Sequence, residues 1–322
     1  MALDSQVTDT VLMIRPANFG YNPETAPNNI YQRRIHSLSP DGVRQQALKE
    51  FDEFVRRLSG AGVEVIVVNE PPDSTTTDSV FPNNWITTHT DGTVVTYPMW
   101  APSRRLERRE EIISELEKRR RVISRRVDYS HLEAQEGFLE GTGSMVLDRR
   151  NRVAYACISP RTHEASFRGF CQEFGYTPLA FSASQPDAAG ALVPVYHSNV
   201  MMSIGENVAV ICSDTIRDSR ERDRVMESLV SSGRHIIQIT EDQCRRFAGN
   251  MLQVASREGE LLLVMSEQAY RSLSAKQVER IRGRSEILYT PLETIEACGG
   301  GSARCMLAEV MLPREGELVV AA

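Results

Sequence analysis

Long apolar runs are missing from this chain. The longest lies around Leu261 to Met265, far short of the roughly 20 apolar residues that cross a bilayer. The opening Met1-Ala2-Leu3-Asp4-Ser5 has no basic stretch followed by an apolar one, so no signal peptide is expected. The expectation is a cytoplasmic protein with no membrane partner. An excess of positive charge is missing too. With 37 Lys+Arg against 43 Asp+Glu, the formal net charge is -6, which argues against nucleic acid, since phosphate binding wants a basic face. The basic run Lys118 to Arg121 follows Glu110, Glu111, Glu115 and Glu117 and reads as the solvated side of a helix. Paired cysteines are missing as well. The six cysteines, at 157, 171, 212, 244, 298 and 305, form no C-x-x-C pair, and no Cys/His spacing resembles a zinc site. Reduced thiols are expected, with neither a disulfide framework nor a metal.

What remains is an ordinary globular composition, 41% hydrophobic and 25% charged over 322 residues. That length is large for one compact core, which leaves two domains or one domain built from repeats. The pattern favours repeats. Hairpin-like stretches occur at Asn84–Pro98, Glu140–Ser159, His197–Ser213 and Asn250–Ser266, each with a turn rich in Gly, Asp or Asn. A helical pattern and a further short strand follow each. Pro102 to Arg119 reads as one helix, and Thr162 as the cap of the next. Ser274-Ala275-Lys276-Gln277 reads as a capping box. A fifth copy is split. Its strand Val11 to Arg15, helix Val43 to Leu58 and strand Val63 to Val68 lie at one end, and its partner strand, Cys305 to Leu312, lies at the other. The expected fold is a five-bladed, pseudo-symmetric α/β propeller of ββαβ repeats. It spans 1–322 as a single domain, the C-terminal strand near 305–312 completing the first blade.

The polar residue opening each repeat is Asn84, Glu140, His197, Asn250 or Cys305, at intervals of 53 to 57 residues. In a five-fold ring these positions converge on the axis. A thiol, an imidazole and a carboxylate suffice for nucleophilic catalysis. The thiolate is the reactive form of Cys305, and His197 can protonate a departing amine and then deprotonate a water. Gly299-Gly300-Gly301 permits close backbone approach to a small ligand. Taken singly, each residue has a plainer reading. Cys157, Cys171 and Cys212 read as core residues, and the other five histidines as surface or core. Only the shared repeat position lifts Cys305, His197 and Glu140 above that reading. Asn250 receives no role.

Four blocks, Phe81-Pro82-Asn83-Asn84, Leu139-Glu140-Gly141, His197-Ser198-Asn199 and Gly299-Gly300-Gly301-Ser302-Ala303-Arg304-Cys305-Met306, resemble the signatures of the guanidine-modifying enzyme (pentein) superfamily. Its members include arginine deiminases, dimethylarginine hydrolases and amidinotransferases. The opening Arg15-Pro16-Ala17-Asn18-Phe19-Gly20-Tyr21-Asn22 looks like its citrulline-hydrolase branch. The resemblance implies Cys305 as nucleophile, His197 as general acid/base and Glu140 as its partner, with no cofactor. It places Asn84 and Asn199 where deiminases usually carry two aspartates, and Gly143 where they carry an acid. Arg161 falls where relatives bind the substrate's α-carboxylate, a pairing suited to a guanidinium fork. Arg104 or Arg105 is a second candidate, and Arg105 is taken with Arg161 as substrate-binding. Neutral asparagines suit a neutral ureido group, whereas burying two aspartates opposite one would leave unpaired charge.

The expected activity is therefore cysteine-dependent hydrolysis of a small ureido amino acid, citrulline to ornithine, ammonia and carbon dioxide. In that scheme Cys305 leans on His197 to hold its thiolate. The first alternative is a guanidino enzyme: a deiminase, a dimethylargininase, a dihydrolase or an amidinotransferase. The second is a non-catalytic propeller scaffold. Association as a homodimer is left open. Asn18 to Arg33, long and rich in Asn and Pro, is the candidate for a loop closing over the site.

Overall fold

The computed structural model describes residues 5–317. Met1 to Asp4, read above for a leader, and the last five residues of the 1–322 span lie outside the described residues. The alternation of short β-rich runs with amphipathic stretches produces a mixed α/β fold. Among the described residues, five three-stranded sheets share one plan. In each, the middle strand pairs antiparallel with one neighbour and parallel with the other. The antiparallel pair needs only a tight turn, whereas the parallel strand needs a crossover, which the helical segments supply. In the second sheet, for example, Ile86–Thr88 turns at Gly92, whose φ of +83° is left-handed, into Thr93–Thr96. Arg125–Asp128 then returns parallel. No sheet among the described residues closes into a barrel.

The first sheet is assembled from both ends of the chain. Thr10–Arg15 lies parallel to Glu64–Asn69 and antiparallel to Ala308–Glu309. The distal strand is shorter than the 305–312 expected, because Ala303–Met306 coils into a single turn of 3-10 helix that carries Cys305. Apolar clusters join each sheet to the next. Leu12 and Ile14 pack with Trp85 and Val94, Val95 with Met145 and Ala154, and Tyr155 with Val208, Val210 and Leu263. Leu252 and Val264 pack with Val11, Met13 and the Phe51/Phe54/Leu58 face of helix Pro40–Gly60.

Three local expectations change. The stretch Pro102 to Arg119 is two helices, Pro102–Arg105 and Glu110–Lys118. Arg104 turns inward and binds Glu107, and Arg109 is extended at the second start. Thr162 does not cap the next helix, Glu164–Phe174, because its hydroxyl donates to Ser144 Oγ instead. A sixth, two-stranded hairpin, Ser184–Pro186 with Leu192–Pro194, was not foreseen. The capping box at Ser274 and Gln277 forms as read.

Candidate active site

Each of the five sheets is entered through a short turn, and these turns meet. They are Pro82–Asn84, Gly141–Ser144 after Glu140, Ser198–Met201 after His197, the bend ending at Asn250, and Ala303–Met306. Thr142 Oγ1 donates to Asn83 O across 3.3 Å, Asn250 Nδ2 to Asn199 O across 2.9 Å, and Arg304 N to Asn250 Oδ1 across 3.0 Å. A small cavity lies among them. It is bordered by Thr25, Asn29, Asp78, Phe81, Asn84, Arg104, Arg161, Tyr196, His197, Gly299, Gly301 and Cys305. Its free volume is about 10 Å3, no more than one water needs.

Glu140 is fully buried and accepts from His197 Nε2 at 2.8 Å and from Trp100 N at 3.0 Å. Arg161 Nη1 lies 3.6 Å away and Arg104 Nη1 3.9 Å away. Burial alone would raise this carboxyl, but Arg161, His197 and Arg104 together draw it down to about 2. Burial draws His197 down to about 4, against the opposing pull of Glu140. At neutral pH the pair is thus a carboxylate and a neutral imidazole. A carboxylate accepts only, so the ring proton sits on Nε2 and the Nδ1 lone pair is free. A Cβ on Gly143 would lie 2.8 Å from Nδ1 and against Asn84 Nδ2. Any side chain at position 143 is therefore excluded, and the ring and the amide sit side by side.

Arg104 is buried to 2% exposure at the centre of this wall. Its Nε and Nη2 donate to Glu107 at 2.9 Å each, and Nη1 donates to Asn84 Oδ1 at 2.7 Å. Asn84 Nδ2 donates to Asn83 Oδ1 at 2.9 Å, which leaves one amide hydrogen of Asn84 over. Arg161 donates to Asn28 Oδ1 at 2.8 and 2.5 Å and to Thr25 O at 2.9 Å. Asn28 and Thr25 belong to the Asn18–Arg33 segment, which is also tied down by Asn29 Nδ2 to Gly300 O and Arg33 N to Ala297 O.

Two expected positions differ. Arg105 is not at the cavity: it donates to Met99 O and pairs with Glu133, part-exposed, and Arg104 stands in the wall instead. Asn199 does not border the cavity either. Its Nδ2 faces Cys305 Sγ at 3.4 Å, while its buried Oδ1 has no partner. Asn199 borders a separate void of about 20 Å3 with Thr142 and Arg304. Sequence reasoning missed Asp78, which is buried beside Asn22 and Thr25 with one carboxylate oxygen unpartnered. No repeat spacing marks it, because it belongs to the approach to the Pro82–Asn84 turn. No cluster of three or more His, Cys, Asp or Glu fit to hold a metal occurs among the described residues, and no helix among them is long and apolar enough to cross a membrane.

A family model described as N,N dimethylarginine dimethylhydrolase, eukaryotic, matches residues 15–312. Comparison with curated proteins finds no match. Among solved structures, the chain is similar to the N-terminal domain of ArgZ, an arginine dihydrolase of the ornithine-ammonia cycle in cyanobacteria. That likeness has 17% identity and a TM-score of 0.71, covering 94% of this chain and 98% of that one. Unliganded AgrE gives 20% identity and a TM-score of 0.69, over 95% of this chain and 39% of AgrE. A dimethylarginine hydrolase (DDAH) from Pseudomonas aeruginosa, complexed with citrulline, gives 15% identity and a TM-score of 0.64, over 95% and 100%. At these identities the likeness speaks for the fold.

Proposed function

The chain belongs to the N,N-dimethylarginine dimethylhydrolase family, and from that premise we propose that it hydrolyses the ureido group of citrulline or a close ureido amino acid. One observation carries this choice. Arg104 Nη1 holds Asn84 Oδ1 at 2.7 Å, which takes one of the oxygen's two lone pairs and fixes the amide with one N–H left for a ligand. A ureido carbonyl accepts such a bond. A guanidinium has only donors and would face it donor to donor.

In this reading Cys305 is the nucleophile and the neutral His197 the base that takes its proton. The sulfur bonds to the ureido carbon, and one C–N bond breaks. The leaving nitrogen carries off the proton that His197 held. Water then adds to the carbamoyl thioester, giving a proton to His197, and the C–S bond breaks with that proton returned to sulfur. The carbamic acid released falls apart into an amine and carbon dioxide, so the products are ornithine, ammonia and carbon dioxide. Glu140 holds the imidazole by Nε2 and keeps Nδ1 available. Arg161 takes the α-carboxylate in place of Asn28 Oδ1, and the free oxygen of Asp78 takes the α-ammonium. The segment Asn18–Arg33 must lift for entry, since the cavity holds no room for an amino acid. We read the five sheets as blades around this site, closed by the pairing of Thr10–Arg15 with Ala308–Glu309.

The family match favours a second reading, hydrolysis of the guanidino group of arginine or a methylated arginine. Purified protein offered citrulline, arginine and methylarginines separately decides between them, with released ammonia and amine as the readout. Turnover of citrulline is expected. Turnover of a guanidino substrate with none of citrulline would sink the ureido assignment.

A further inference from the structure

The scheme above gives Asn250 nothing to do, yet it lies against the reacting atom. Its Nδ2 is 3.3 Å from Cys305 Sγ, and Asn199 Nδ2 is 3.4 Å from the same sulfur. The orientation of the Asn250 amide is fixed by the backbone. Its Oδ1 accepts from Arg304 N and its Nδ2 donates to Asn199 O, so the N–H lies nearest the sulfur at 3.3 Å, with Oδ1 farther off at 3.7 Å, where it accepts the thiol's own hydrogen. Neither asparagine borders the cavity, whereas Cys305 does. The amides therefore reach the sulfur without occupying the place of a ligand.

The local backbone is bent to allow this. Phe247 holds a left-handed φ of +61°, a conformation that a bulky aromatic adopts only under constraint from its surroundings. Two residues on, a Cβ at Gly249 would lie 2.7 Å from Met201 C and 2.8 Å from Met201 Cα. Only glycine lets this bend dock on the turn that carries Asn199.

We propose that Asn250 is a catalytic residue: with Asn199 it forms an amide cradle that holds the Cys305 sulfur as its thiolate from the face away from the substrate. As a thiol, Cys305 donates its hydrogen to Asn250 Oδ1 at 3.7 Å; once that hydrogen has left, the thiolate only accepts, and the two amide N–H groups at 3.3 and 3.4 Å are placed to donate to it. The other titratable and charged groups around Cys305 are Asp78, Arg104, Arg161, Tyr196 and His197, with Glu140 behind His197. Burial keeps His197 neutral until it takes the proton of Cys305, and the two amides stabilise the charge that this transfer leaves on the sulfur. The cradle rests on Cys305 being the nucleophile and not on which C–N bond is cleaved.

The test follows the titration of Cys305 in the full chain, as thiolate ultraviolet absorbance against pH, taken as the difference from Cys305→Ala. Asn250→Asp keeps the size and the acceptor for Arg304 N but turns negative charge on the sulfur. Its midpoint is expected to rise by at least about one pH unit, a roughly tenfold loss of thiolate at neutral pH. Asn250→Ser keeps a weaker donor and is expected to fall between, so the comparison survives if Asn250→Asp does not fold by circular dichroism. Wild-type midpoints in the folded variants would overturn the cradle. A shifted midpoint in a protein that turns over no ureido substrate supports the cradle and sinks the ureido reading alone.

Discussion

Arg104 determines what Asn84 can recognise. By taking one lone pair of Asn84 Oδ1 it fixes the amide and biases it toward donating its free N–H. Asn84→Asp replaces that donor by an acceptor already paired with a cation. Its kcat/KM on citrulline is expected to fall at least about tenfold, the scale of one mismatched buried hydrogen bond, while any activity on arginine rises. Steady-state kinetics on both substrates checks this, and an unchanged ratio would refute the donor argument. Arg105→Ala is expected to stay within about twofold of wild type on both, because its part-exposed pair with Glu133 is worth little. The sequence could not separate these neighbouring arginines. On the single helix expected from 102 to 119 they differ only by a rotation of about 100°. What singles out Arg104 is tertiary: its guanidinium reaches Asn84 Oδ1 and the carbonyls of Asp78 and Phe81, contacts that no local spacing announces.

The legible elements were those with local signals. Hairpins announce themselves by alternation and turn residues, and the Ser274 box by its spacing. The repeat position also brought Cys305, His197, Glu140, Asn84 and Asn250 to one place. Which face of the sulfur each side chain would meet was not legible, since a one-turn helix such as Ser198–Met201 rotates Asn199 away from the cavity without leaving a trace in the pattern. Nor was Asp78, which lies outside the repeat register. Among the elements, the glycine turn before Cys305 carries a separate expectation. Gly300 has a φ of +66°, and a Cβ there would meet Gln32 Cγ at 2.5 Å and Asn29 Cγ at 2.9 Å. Gly300→Ala should cost about 1 kcal/mol or more in stability from the left-handed backbone. It should also raise KM at least severalfold, because the Asn18–Arg33 segment can no longer seat. A thermal melt and a Michaelis curve measure the two parts. A variant with wild-type KM would show that closure of this segment does not contribute to binding.

For the molecule as a whole, burial of polar groups makes stability depend on pH in two opposed ways. The His197 value of about 4 lies below its ordinary 6.5. Between these values the unfolded chain binds a proton that the native one refuses, so stability rises with pH across that window and is lost as pH falls from about 6.5 to 4. Glu296 behaves oppositely. Burial raises it to about 7 against the bonds it accepts from Ser266 and Ser302, and Ser302 Oγ donates to it at 2.6 Å. Its contribution is complete below about 4.5 and lost as pH rises through 7. Glu296→Gln should therefore flatten the decline of melting temperature between about pH 5 and 8 and leave the acid-side fall in place. An unaltered profile would place the alkaline loss on another group. The pairing of Thr10–Arg15 with Ala308–Glu309 bears on how the protein is made. A ribosome delivers the central strand of the first sheet almost at once and its distal edge some 300 residues later. Cys305, the proposed nucleophile, arrives with that late edge, three residues ahead of it. Four sheets can assemble on the nascent chain before residue 305 is made, so on the proposed mechanism no chain that stops short of this edge can carry out the hydrolysis.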